Sequence, residues 1–93
     1  MRTRVCAAPG QVSSDLAGEA VILHLTSGRY YALDPVGARI WTLLQKPVRV
    51  QQVHDVIVAE YQVEPQRCQS DLLALLLRLA AEGLIEVRNE LAP

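Results

Sequence analysis

Phenylalanine is absent from this 93-residue chain, which has one tryptophan and three tyrosines. Any core it builds is therefore mainly aliphatic. An excess of charge is missing too, since nine Lys and Arg face ten Asp and Glu for a formal charge of −1. That balance gives no broad electrostatic field for a phosphate backbone or an anionic bilayer, so neither nucleic acid nor membrane is an expected partner. No apolar run approaches the length of a membrane span. The start, Met1-Arg2-Thr3-Arg4-Val5-Cys6-Ala7-Ala8, is basic but lacks the apolar centre of a secretory signal, so a cytoplasmic location is expected. Cysteine is scarce: Cys6 and Cys68 stand far apart with no second thiol at short spacing. Neither a zinc site nor a disulfide framework is indicated, and no metal or cofactor is expected.

Catalytic patterns are missing as well. His24 lies in an apolar run and His54 in a helical segment, without a positioned Ser, Cys or carboxylate partner. Glu60, Glu64, Glu82, Glu86 and Glu90 are scattered at helix ends and in the tail, as solvated charges usually are. Gly28 and Gly37 do not make a phosphate-cradling loop. The chain is expected not to be an enzyme.

What is present is a folded composition, 51% apolar and 20% charged. A chain of this size holds one domain and one modest core, hiding about 60 to 65% of its unfolded surface. Ala7-Ala8-Pro9-Gly10 breaks structure, so residues 1–10 are expected to form a flexible N-terminal arm, with the folded domain over 11–88 and a tail over 89–93. A short edge strand is expected between Gln11 and Leu16, followed by a turn at Ala17-Gly18-Glu19. Ala20-Val21-Ile22-Leu23-His24-Leu25 reads as a strand, turned at Thr26-Ser27-Gly28 to pair with Arg29 through Leu33. Asp34 is placed to cap a helix, with Pro35 at its first position. Val36, Ile40, Trp41, Leu43 and Leu44 recur at helical spacing, and Pro47 stops that helix.

A second helix is expected over about 49–61, with Val50, Val53, Ile57 and Tyr61 on one face and Val56 and Val58 at its margins. Pro65 opens a third helix, and Gly83 is placed to end it in the left-handed conformation. Leu84-Ile85-Glu86-Val87 then makes a short closing strand. The third helix is apolar over about 200°, against the roughly 100° sufficient for one-sided packing. Either it is wedged centrally among helices and sheet, or part of it meets a partner. The fold class is α+β and winged helix-turn-helix-like: a three-stranded antiparallel sheet, three helices and a short C-terminal strand. Such an architecture can read DNA with the third helix or hold a peptide between that helix and the sheet edge.

Gly28-Arg29-Tyr30-Tyr31-Ala32-Leu33-Asp34-Pro35-Val36-Gly37-Ala38-Arg39-Ile40-Trp41, preceded by Gly18-Glu19-Ala20-Val21-Ile22-Leu23 and followed by Leu79-Ala80-Ala81-Glu82-Gly83-Leu84-Ile85, resembles the PqqD family over about residues 11–87. Where that family usually has Leu-Asn at the strand end this chain has Leu33-Asp34, which preserves capping. The resemblance implies a non-catalytic recognition element for ribosomally made precursor peptides. It implies a leader segment added as an antiparallel strand beside Arg29, Tyr30, Tyr31, Ala32 and Leu33, its side chains in a groove beside Cys68, Asp71, Leu72, Leu75, Leu76 and Leu79. Either Tyr30 or Tyr31 would wall the groove and the other face the core, because adjacent strand residues point to opposite faces. Arg29 or Arg78 would pair with an acidic leader residue.

As a free-standing domain the chain is most like the discrete leader-binding proteins of lasso-peptide biosynthesis, whose partners are a leader peptidase and a cyclase. The alternatives are a PqqD-type chaperone of pyrroloquinoline quinone biosynthesis, a winged-helix DNA-binding regulator and a structural homodimer. The DNA reading is poorly supported, because Arg67 and Arg78 are the third helix's only cations and Asp71 and Glu82 offset them. A monomer or weak homodimer is expected.

Overall fold

The computed structural model describes residues 3–16 and 18–89. Among them the chain runs β1 (Thr3–Ala7), β2 (Gln11–Leu16), β3 (Glu19–His24), β4 (Tyr30–Leu33), α1 (Pro35–Leu43), β5 (Val48–Arg49), α2 (Val50–Tyr61), α3 (Pro65–Ala81) and β6 (Ile85–Asn89). The fold is the expected small α+β, winged-helix-like arrangement of an antiparallel three-stranded sheet, three helices and a C-terminal strand. Ala17 of the expected turn and residues 90–93 of the expected tail lie outside the described residues, as do Met1 and Arg2.

The expectation of a flexible arm over residues 1–10 is corrected at Thr3–Ala7. This segment is the central strand of a second antiparallel sheet of order β5-β1-β6, with Val5 opposite both Val48 and Val87. Val5 is buried at 2% exposure, and the amides of Ala7 and Ala8 donate to the carbonyls of Leu44 and Leu84 at 2.7 and 2.9 Å. The strand was illegible locally because its partners lie more than forty residues away. The expected tail is likewise corrected at its first position, since Asn89 closes β6 opposite Thr3.

The other sheet has the order β2-β3-β4 and comes from two consecutive hairpins. Gly28, at φ +71°, sits in the β3–β4 turn, where its amide donates to the His24 carbonyl at 2.8 Å. Ile22 and Ala20 face the core at 0% and 4% exposure, opposite Tyr31 and Leu33. β4 therefore packs on one side of the sheet and ends the ladder, with no strand on its outer edge among the described residues.

Each helix begins and ends for a local reason. Asp34 Oδ1 accepts from the Gly37 amide at 2.7 Å and Pro35 occupies the first turn, so α1 starts where the aromatic strand stops. A side chain at Gly37 would place its Cβ 3.2 Å from both Leu33 Cβ and Asp34 Oδ1, so the missing side chain lets α1 close tightly on β4. In α2, Gln52 Oε1 accepts from the Arg49 amide at 3.1 Å. That contact, reaching back from the third helical residue to the N-cap amide, stands in place of a short capping side chain. The end of α3 is a Schellman closure: Leu84 N–H donates to the Leu79 carbonyl and Gly83 N–H to the Ala80 carbonyl, with Gly83 at φ +74°.

Cys68, Leu72, Leu76 and Leu79 of α3 are buried together with Ile40, Trp41, Leu44, Val53, Ile57 and Leu84. Leu73, Leu75 and Ala80 pack against the same core from its margins, whereas Leu77 is 71% exposed. The wide apolar arc of α3 is thus mostly absorbed by wedging between the other helices and the strands. What stays open is the strip beside β4.

Candidate peptide-binding groove

A groove of about 760 Å³ lies between the open end of β4 and α3. Its floor is apolar because three helices meet there. Leu33 closes the β4 side, Val36 and Ile40 come from α1, Ile57 from α2, and Cys68, Leu72 and Leu75 from α3. Its rim is polar, with Asp34, Glu64, Arg67, Asp71 and Arg78 around the mouth. Apolar floor and charged rim together suit an extended chain whose alternate side chains point inward.

The hydrogen-bond alternation of the β3–β4 ladder sets which backbone groups are available. His24 N–H donates to the Arg29 carbonyl at 2.9 Å, so the bonded positions of β4 are Arg29, Tyr31 and Leu33. Tyr30 and Ala32 consequently turn their N–H and C=O groups to the free edge. Two residues apart on that edge, they offer the pattern an added strand requires.

Six of the residues singled out from the sequence line this groove: Ala32, Leu33, Cys68, Asp71, Leu72 and Leu75. The other five lie elsewhere. Leu76 and Leu79 are core residues at 4% and 2% exposure. Helical phase turns Leu76 away from the groove, whereas Leu79, two turns beyond Leu72 on nearly the same line, is buried past its end. Tyr30 is 71% exposed on the outer face of the sheet, in the same cross-strand row as Val12 and Leu23. Tyr31 faces the core layer, and its hydroxyl donates to Glu82 Oε2 at 2.8 Å. Arg29 Nη1 stands 3.9 Å from the same carboxylate oxygen. The expectation that one tyrosine walls the groove is therefore corrected. The two do face opposite ways, but Tyr31 braces the start of β4 to the end of α3, and neither lines the cavity.

The wall contributed by Val36, Ile40, Ile57 and Val63 was missed from the sequence. The apolar periodicity of Val36, Ile40 and Ile57 was visible but marks any core-facing helix, and Val63 lies in the loop between α2 and α3, outside any periodic pattern. Only the meeting of α1, α2 and α3 tells which apolar positions border a space.

The electrostatics favour a neutral, unreactive floor. Burial, reinforced by the negative charge of Asp71, pushes the Cys68 thiol above its ordinary value and keeps it protonated. The hydrogen bond to Glu82, then partial burial and the Glu82 charge, raise the Tyr31 hydroxyl, with Arg29 opposing. Outside the groove, Arg39 Nε and Nη2 donate to Glu60 Oε1 and Oε2 at 2.9 and 2.8 Å, tying α1 to α2. That pairing holds the Glu60 carboxyl below its usual range. Both histidines have structural partners: His54 Nε2 donates to the Pro65 carbonyl at 2.8 Å, and His24 Nδ1 accepts from the Ser27 amide at 3.3 Å. Among the described residues no cluster of three potential metal ligands occurs, and no helix is long and apolar enough to cross a membrane.

Fold and site together define a winged-helix-like domain with a free strand edge opening onto a helix-walled groove. The family model of coenzyme PQQ synthesis protein D (PqqD) matches residues 19–85, a stretch holding β3, β4 and all three helices. The chain belongs to the PqqD family. Among solved structures it is similar to TbiB1, determined in complex with the TbiA(beta) leader peptide, at 40% identity and a TM-score of 0.81, covering 87% of this chain and 94% of that one. It also shares its fold with lasso peptide synthetase B1 complexed with the leader peptide, at 24% identity and a TM-score of 0.78, covering 88% and 96%. The comparison with curated proteins gave no match.

Proposed function

We propose that this protein binds the leader segment of a ribosomally made precursor peptide and presents it to the leader peptidase and cyclase of lasso-peptide biosynthesis, in the cytoplasm and without catalysing a reaction itself. The carrying observation is the free edge of β4, with Tyr30 and Ala32 turned outward, beside the apolar groove under α3. The likeness to TbiB1 supports the same reading, since that protein was determined with a leader peptide bound. In this mechanism the leader pairs antiparallel to β4. Backbone bonds supply affinity largely independent of sequence, and the floor formed by Leu33, Cys68, Leu72 and Leu75 selects apolar side chains.

Titration of fluorescently labelled TbiA(beta) leader peptide, followed by anisotropy, tests the reading. Saturable binding is expected to wild type. Ala32→Pro removes one outward N–H without touching the β3–β4 bonds, and Leu75→Glu places a charge on the floor. Each is expected to weaken binding about five- to thirtyfold, the loss of one well-placed hydrogen bond or apolar contact being worth roughly 1 to 2 kcal/mol. Unchanged affinity in both variants, with circular dichroism showing intact folds, would place the peptide elsewhere.

A further inference from the structure

The groove rim is electrically asymmetric, and the asymmetry has a direction. Glu64, Asp71 and Arg78 recur every seven residues along α3, so they lie nearly in line on one face, and all three border the groove. Asp71 already has a cation close by, Arg67 Nε at 4.0 Å. Glu64 and Arg78 are exposed and have no ion-pair partner among the described residues. The carboxylate of Asp34 adds to the acidic end, while at the other end Arg29 and Glu82 balance each other at 3.9 Å and leave Arg78 as the cation facing a guest.

The sense of β4 converts this into a statement about the guest. The Tyr31–Glu82 hydrogen bond, Arg29 Nη1 at 3.9 Å from the same carboxylate and His24 Nε2 beside Gly83 together put the β3–β4 turn and the start of β4 at the C-terminal end of α3, so Leu33 and Asp34 lie further back along the helix, on the groove. β4 therefore runs against α3. A guest antiparallel to β4 runs parallel to the helix, its N-terminal part near Glu64 and its C-terminal part near Arg78.

We propose that this site selects leader segments with a basic residue followed, about six positions later, by an acidic one, Glu64 and Arg78 being the residues that read them. The spacing follows from geometry. Glu64 and Arg78 are separated by about 21 Å of helix, which about six residues of extended strand span. An even interval also keeps both guest side chains on the face turned toward α3. This specificity rests on the leader-binding reading and deepens it. The two contacts fix the direction and register of a guest that backbone pairing alone leaves free to slip.

A display library of the TbiA(beta) leader peptide, varied two positions at a time among Ala, Glu and Lys, tests this by selection at low ionic strength on wild type, Glu64→Lys, Arg78→Glu and Ala32→Pro proteins. The expected result is one position preferring Glu over Lys by about threefold or more, with the preference inverted on Arg78→Glu. A second position, about six residues nearer the N-terminus, should prefer Lys and invert on Glu64→Lys. Enrichment on wild type with charge preferences that neither variant inverts, or with the acid-preferring position N-terminal to the base-preferring one, overturns the charge reading while leaving leader binding in place. Retention no greater on wild type than on Ala32→Pro overturns the pairing of the leader with β4, and this inference with it. Both charged positions are solvent-exposed, and matching thermal melts of the two variants show that the readout is recognition rather than folding.

Discussion

Tyr31 shows how much one side chain decides. Facing inward, it ties β4 to the end of α3 through its bond to Glu82, whereas its outward-facing neighbour Tyr30 stands in solvent and makes no such contact. The raised hydroxyl pKa gives this brace a pH signature. The folded state favours the neutral hydroxyl, so the stabilisation is fully present below the ordinary value of 10.0 and is lost as pH rises through the higher folded value. Tyr31→Phe is accordingly expected to lower the melting temperature at neutral pH, with the gap to wild type closing in strongly alkaline buffer. A gap constant with pH would mean that packing, rather than the hydrogen bond, carries the effect. Glu82 and Tyr31 both stood in the stretches that carried the family resemblance, yet fifty-one residues separate them and no local pattern announces their bond.

Among the elements, β4 and α3 divide the work of recognition. The ladder alternation makes a prediction specific to β4: in the free protein the Tyr30 and Ala32 amides exchange with solvent faster than those of Tyr31 and Leu33, and leader peptide protects the first pair selectively. Residue-resolved hydrogen exchange by NMR checks it, and equal protection of all four in the free protein would mean that the edge is already covered. The start of α1 and the bounds of α3 were legible because they depend on short-range chemistry: Asp34 and Pro35 at one end of a helix, Pro65 and Gly83 around another. Which apolar side chains of α3 face the groove was not. Leu75 and Leu76 are neighbours in sequence, but only the packing of α1 and α2 sends the first to the margin and the second into the core.

At the scale of the whole molecule, two small sheets pack with the three helices, and Thr3 pairs with Asn89 across the second sheet. β1 ties the N-terminal segment to β6 and, through β5, to the start of α2. A loose arm over residues 3–7 does not fit this arrangement. Val5→Ala is expected to cost about 2 kcal/mol in urea denaturation, on the scale of a large-to-small change at a fully buried site. A cost near zero would return residues 3–7 to the status of an arm. The groove depends on the same closure, since Leu84, which follows the end of α3, is fully buried and accepts through its carbonyl from Ala8.

The sequence by itself determined the start of α1, the bounds of α3, the hairpin that pairs β3 with β4, the mainly aliphatic core and the absence of a large field of one sign, because each follows from contacts within a few residues or from composition alone. The tertiary structure decided the second sheet, the inward turn of Tyr31, the burial of Leu76 and Leu79, and the groove wall drawn from α1 and α2. Those features rest on partners distant along the chain. Closing such contacts is governed by what the rest of the molecule places opposite them, and no local pattern encodes that.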